Sequence, residues 1–120
     1  MRNFRNLDIW KEGITLVKQV YELASKLPKE EIYGLRSQIT RAAVSVPSNI
    51  AEGCSRNSEV EFKRFLEIAI GSLFELETQL IIITELNLIN GFETVTIQEL
   101  IDKEGKMING LINKIKSAKG

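Results

Sequence analysis

The chain has 120 residues, 43% of them hydrophobic and 27% charged, with sixteen basic side chains balancing sixteen acidic ones and no histidine. This length and composition specify one folded domain, residues 1–120, with enough chain to bury a core, and they exclude disordered and fibrous classes. Zero net charge leaves no global field to draw in phosphates, and the missing histidine removes the commonest general base and zinc ligand, so Ser-His-Asp and Cys-His catalysis are out within one chain.

The opening residues, Met1 to Asp8, lack the apolar run of a signal peptide. The longest aliphatic run, Leu80-Ile81-Ile82-Ile83, falls far short of the roughly 20 residues that span a bilayer. The expected location is the cytoplasm. The first helix is predicted from about Asp8, as N-cap, to Lys26. Trp10, Ile14, Val17, Tyr21 and Ala24 share one face at 4-3-4-3 spacing, and Leu16, Val20, Leu23 and Leu27 widen it. Pro28 ends this helix.

Residues 28–34 connect to a second helix from about Leu35 to Cys54, and Lys29 to Tyr33 have the composition of a short helical turn. The apolar stripe of the second helix is Leu35, Ile39, Ala42/Ala43, Val46 and Ile50. Pro47 lies inside it, removes the hydrogen bond to the Ala43 carbonyl and crowds that carbonyl. The expectation is a kink with helix on both sides; the alternative is a break, with Pro47 starting a new helix. Gly53 leads into a polar connection. Its neighbour Cys54 is the sole cysteine, which forms no internal disulfide and reads as a structural thiol.

Ser58, with Glu61 three residues on, forms a capping box for a third helix from about Glu59 to Asn87, expected to be the longest. Phe62, Leu66, Ala69, Leu73, Leu76, Leu80 and Ile83 repeat 4-3-4-3-4-3, which favours near-parallel packing. After the Asn90-Gly91 turn, Thr96 is expected to cap a fourth helix reaching about Lys116. Its stripe is Ile97, Leu100/Ile101, Ile108, Leu111 and Ile115, and Gly105 and Gly110 weaken it. Together these elements predict an all-α, antiparallel up-down four-helix bundle, its second helix kinked at Pro47.

Two features exceed what a monomeric bundle needs. On the second helix Gln38, Arg41, Ser45, Asn49, Glu52 and Arg56 line up along one side. On the third, Phe65, Ile68, Ser72, Glu75, Gln79, Ile82 and Leu86 form a row with a polar middle, and Ile70, Phe74, Ile81 and Leu88 form another, interrupted by Glu77. The surplus apolar rows suggest a protein partner surface. Three accounts of the polar stripe stand: a solvated face, a network between subunits in which Arg41 and Arg56 pair with Glu52, Glu75 or Glu77, and a phosphate or ligand site on the two arginines. Glu52, Glu59 and Glu61 are the nearest approach to a metal-ligand set, but a di-iron bundle uses Glu-x-x-His, so no metal and no cofactor are expected.

The run Tyr33-Gly34-Leu35-Arg36-Ser37-Gln38-Ile39-Thr40-Arg41-Ala42-Ala43-Val44-Ser45-Val46-Pro47-Ser48-Asn49-Ile50-Ala51-Glu52-Gly53 resembles the signature of the four helix bundle protein family, also called S23 ribosomal protein or 23S rRNA intervening-sequence protein. Glu61-Phe62, Phe65-Leu66, Ile68-Ala69 and Gly71-Ser72-Leu73 continue the resemblance, as do Glu75 to Leu80. Trp10 and Tyr21 also fit. It covers about residues 7–90; the fourth helix is generic. The family resemblance implies a four-helix bundle assembled as a homopentamer. The family is in turn similar to the accessory variability protein of diversity-generating retroelements, a basic pentameric barrel associated with a reverse transcriptase and nucleic acid; the present chain is neutral.

The function expected from all this is a non-catalytic homo-oligomeric scaffold for a protein or RNA partner, with Gln38, Arg41, Ser45, Asn49, Glu52, Arg56, Ser72, Glu75 and Gln79 at or near subunit contacts. The alternative is RNA binding through Arg2, Arg5, Lys11, Lys18, Arg36, Lys63 and Arg64, repeated around the oligomer to gain avidity.

Overall fold

Capping chemistry and helical periodicity place four helices along the chain. In the computed structural model, which describes residues 2–119, they are α1 (Asp8–Ala24), α2 (Leu35–Cys54), α3 (Glu59–Glu85) and α4 (Gly91–Lys119). Short 3-10 turns occupy Phe4–Asn6 and Lys29–Glu31, the second within the connector expected to hold a helical turn. No strand occurs among the described residues.

The helix ends follow local chemistry with two exceptions. The Ser58 hydroxyl accepts from the Glu61 backbone N–H at 3.1 Å, as the capping box requires. At the end of α3, Asn87 takes φ 56° and the Leu88 N–H reaches the Ile83 carbonyl at 3.1 Å, the αL closure in which asparagine substitutes for glycine. The first exception is α1: Leu7 is its N-cap residue, no side chain caps it, and Asp8 is instead its first helical residue. The second is α4, which starts at Gly91 rather than after Thr96. The Asn90 side-chain oxygen accepts from the Phe92 N–H at 2.9 Å and starts the helix six residues early. At 29 residues α4 is therefore longer than α3 with its 27.

Each helix packs on its neighbours in sequence, and α4 also packs on α1, which makes a bundle about 47 × 21 × 19 Å. Ser45 meets Ser72 and Gly53 meets Phe65, so α2 and α3 run in opposite directions. Lys26 meets Glu93 and Glu12 meets Lys103, which sets the same relation between α1 and α4. α2 continues through a buried Pro47, so no new helix begins there.

The heptad row of α3, from Phe62 to Ile83, is buried throughout, as is the expected stripe of α2 from Ile39 to Ile50. In α1 the outcome differs. Ile9, Gly13, Leu16, Val20 and Leu23 form the core face. Trp10, Ile14 and Val17 are half-buried and Tyr21 is exposed. Both rows have helical spacing and lie side by side, so periodicity cannot choose between them. The Phe4 ring, 5.2 Å from that of Trp10, covers the outer row at its first turn.

Candidate interaction surface

The polar stripe of α2 is a real feature of the surface. Gln38, Arg41 and Glu52 are exposed, and Ser45, Asn49 and Arg56 are half-buried against α3. The hydroxyls of Ser45 and Ser72 hydrogen-bond to each other and join the two helices. Asn49 donates to the Ser45 carbonyl at 2.7 Å. The register fixed by Ser45–Ser72 and Gly53–Phe65 brings Gln38 and Arg41 to the level of Glu75 and Gln79. Gln79 is 7% exposed, and its side-chain oxygen has no hydrogen-bond partner.

One of the expected pairs of arginine and carboxylate forms within the chain. Arg56 pairs with Glu52 at 3.1 Å, one turn back on its own helix, and its guanidinium lies 4.9 Å from the centre of the Phe65 ring. Arg41 donates to the Ser37 hydroxyl at 3.3 Å and meets no carboxylate among the described residues. Glu77 faces the other way and accepts from Gln98 of α4 at 2.9 Å. Glu75 is exposed. The candidate metal ligands are separately engaged: Glu52 with Arg56, Glu59 with Arg2, and Glu61 at the Ser58 cap.

Apolar side chains flank this stripe and continue past it. On the α2 side of α3, Ile68, Ile82 and Leu86 are exposed, Leu86 by 58%. On the α4 side, Phe74 is 68% exposed and Ile81 is also open. Phe74 stands at the edge of a groove with Ile70 and Leu73 of α3 and Ile101 and Gly105 of α4, and Ile81 and Val95 line a separate cleft between the same two helices.

Five of the seven candidate RNA contacts, Arg2, Arg5, Lys11, Lys63 and Arg64, lie toward one end of the bundle. The Arg2 N–H bonds the Cys54 carbonyl at 3.0 Å, and its guanidinium lies 3.9 Å over the Phe62 ring and pairs with Glu59. Arg5, Lys11, Lys63 and Arg64 lie on the neighbouring turns. Lys63 is 3.5 Å from Glu67. Lys18 sits two turns further along α1, and Arg36 is at the opposite end of α2, roughly 25–30 Å away at 1.5 Å per residue. The seven residues do not make one continuous patch. Cys54 is buried, and burial pushes its thiol pKa up.

One residue escaped the pattern. Glu104 occupies the core row of α4 between Ile101 and Ile108, 1% exposed, with both carboxyl oxygens buried and unpartnered. Burial, reinforced by the Glu12 carboxylate and opposed by Lys103, pushes its pKa up to about 8. The signal was present: Ile97, Ile101, Ile108, Ile112 and Ile115 leave one vacancy at helical spacing, and position 104 fills it.

The model of the 23S rRNA-intervening sequence protein family matches residues 5–110. The chain belongs to this family. The match spans all of α1, α2 and α3 and includes Glu104 of α4, a helix with no distinctive motif of its own. The fold is also that of a crystallised protein of unknown function from the S23 ribosomal protein family of Bacteroides thetaiotaomicron. Its TM-score is 0.80 at 20% identity, over 87% of this chain and 97% of that one. No curated protein matches the sequence. No helix among the described residues is long and apolar enough to cross a membrane.

Proposed function

We propose that this member of the 23S rRNA-intervening sequence protein family is a non-catalytic, cytoplasmic scaffold that works as a homo-oligomer, a pentamer as the family resemblance implies. The observation that carries the reading is the apolar surplus of α3. A helix in a monomeric bundle needs one buried stripe, yet α3 has exposed Ile68, Ile82 and Leu86 on one flank and Phe74 and Ile81 on the other. Contact with further copies would cover this surface. It would also give Arg41, which meets no acid among the described residues, and the unpartnered Gln79 oxygen a place to find partners. Light scattering with size calibration tests the reading: an assembly is expected, and a monomer at micromolar concentration overturns it. Arg41→Glu should split the assembly while the bundle stays folded.

The gathering of Arg2, Arg5, Lys11, Lys63 and Arg64 at one end supports a second reading, RNA binding with avidity from repetition around the ring. Phosphate contacts would make affinity for structured rRNA fall steeply with salt. Absence of any salt-sensitive binding counts against this reading.

A further inference from the structure

The buried row of α4 reads Ile97, Ile101, Glu104, Ile108, Ile112 and Ile115, so an acid fills a place that isoleucine holds in every neighbouring turn. The acid reaches toward two other helices. A Cβ added to Gly13 of α1 would stand 3.2 Å from Glu104 Oε2 and 3.2 Å from the Pro47 Cβ of α2. Gly13 therefore makes the room that the carboxyl uses, and Pro47 walls its far side. Neither carboxyl oxygen has a hydrogen-bond partner.

The charged groups facing Glu104 are Glu12 of α1 and Lys103 of α4, and these two are paired with each other at 3.1 Å. The buried faces of α2 and α3 bring no charged side chain; their sole buried ionisable group is the Cys54 thiol, about two turns beyond Pro47. A carboxylate in this place would be stripped of water, would have no compensating cation of its own, and would repel Glu12. Such a group stays neutral or moves to solvent.

Glu104 is carried by α4. The connection of α4 to α3 turns at Asn87, which takes a φ of 56°. Gly105 and Gly110 weaken α4 on either side of the buried row. We propose that Glu104 is a proton-held latch: as a neutral acid it seats α4 on the α1–α2 pair, and losing its proton releases α4 toward water. The released form exposes a carboxylate with its ordinary affinity for protons, so it gains on the closed form by about tenfold per pH unit until the closed form itself ionises.

Backbone hydrogen exchange of the full chain at pH 6 and pH 8, corrected for intrinsic exchange rates, tests the latch. Opening of α4 relative to α2 and α3 should grow by about fiftyfold over those two units, the closed form itself ionising near the upper one. In Glu104→Gln, which keeps the shape and cannot ionise, it should not grow. Equal behaviour of α4 in the two proteins overturns the proposal. If the variant does not fold, side-chain carboxyl NMR of the native chain decides: one glutamate titrating above pH 7 supports the latch, and all glutamates titrating in the ordinary carboxylate range overturn it.

Discussion

Gly53 of α2 lies so close to Phe65 of α3 that a Cβ on the glycine would stand 2.8 Å from the phenylalanine Cβ and 3.1 Å from the Phe62 ring. The two backbones approach here because one position carries no side chain. Phe62 and Phe65 leave little scope for yielding, since Phe62 is buried and Arg56 and Arg2 stack on the two rings. Gly53→Ala is expected to destabilise the bundle by about 1–3 kcal/mol through overpacking. Urea unfolding measures it, and an unchanged midpoint would mean that α2 and α3 can separate without loss.

Gly110 is the opposite case. A Cβ added there meets nothing within 4 Å, and the residue sits inside α4. Gly110→Ala should stabilise by about 0.5–1 kcal/mol, because alanine removes unfolded-state entropy and adds no clash. The readout is a rise in thermal midpoint.

The exposed pair Phe74 and Ile81 separates assembly from folding. Replacing both by serine should cost the isolated bundle little, since surface substitutions away from buried features fall within about 0.5 kcal/mol. If this flank of α3 is a subunit contact, sedimentation will show smaller particles with unchanged helical content. If the assembly survives, the flank carrying Ile68, Ile82 and Leu86 becomes the contact to test.

Glu104 makes overall stability depend on pH. Its folded-state pKa of about 8 lies above the ordinary value of 4.5, so the folded chain binds more protons than the unfolded chain between those limits. Its contribution is complete below pH 4.5 and is lost as pH rises to about 8, at a slope approaching 1.4 kcal/mol per pH unit. Glu104→Leu should abolish this slope and stabilise the protein at pH 8 by roughly 1–4 kcal/mol, as replacement of buried charges by packed apolar groups does. Denaturant titrations at several pH values check both sign and size.

Cys54 provides an unfolding probe. The thiol is buried and its pKa is raised, both of which suppress the reactive thiolate. Labelling by a disulfide reagent at pH 7 should therefore be slow in the native protein and should accelerate many-fold in denaturant. Rapid native labelling would place the end of α2 and the Arg2 segment in an opening unit of low stability.

Much of the bundle is written in relations between residues three or four apart, and these the sequence by itself determined. The Ser58–Glu61 box starts α3, the row from Phe62 to Ile83 sets its buried face, and the signature around Pro47 marks the family. Each depends on side chains that share a turn or a stripe whatever else surrounds them. The tertiary structure decided whatever depends on a neighbour distant in sequence. In α1 two adjacent apolar rows compete, and the packing of α2 and α4 buries the row of Leu16 and Val20 while Trp10 and Tyr21 stay at the edge. In α2 the polar stripe gains its tie to α3 through Ser45, whose hydroxyl partner, that of Ser72, lies 27 residues away. Glu104 shows the limit most clearly. Its letter says charged and exposed, but its place in the isoleucine row, beside Gly13 and Pro47, removes the water that would hold the charge, and desolvation is a property of the assembled core rather than of any residue within it.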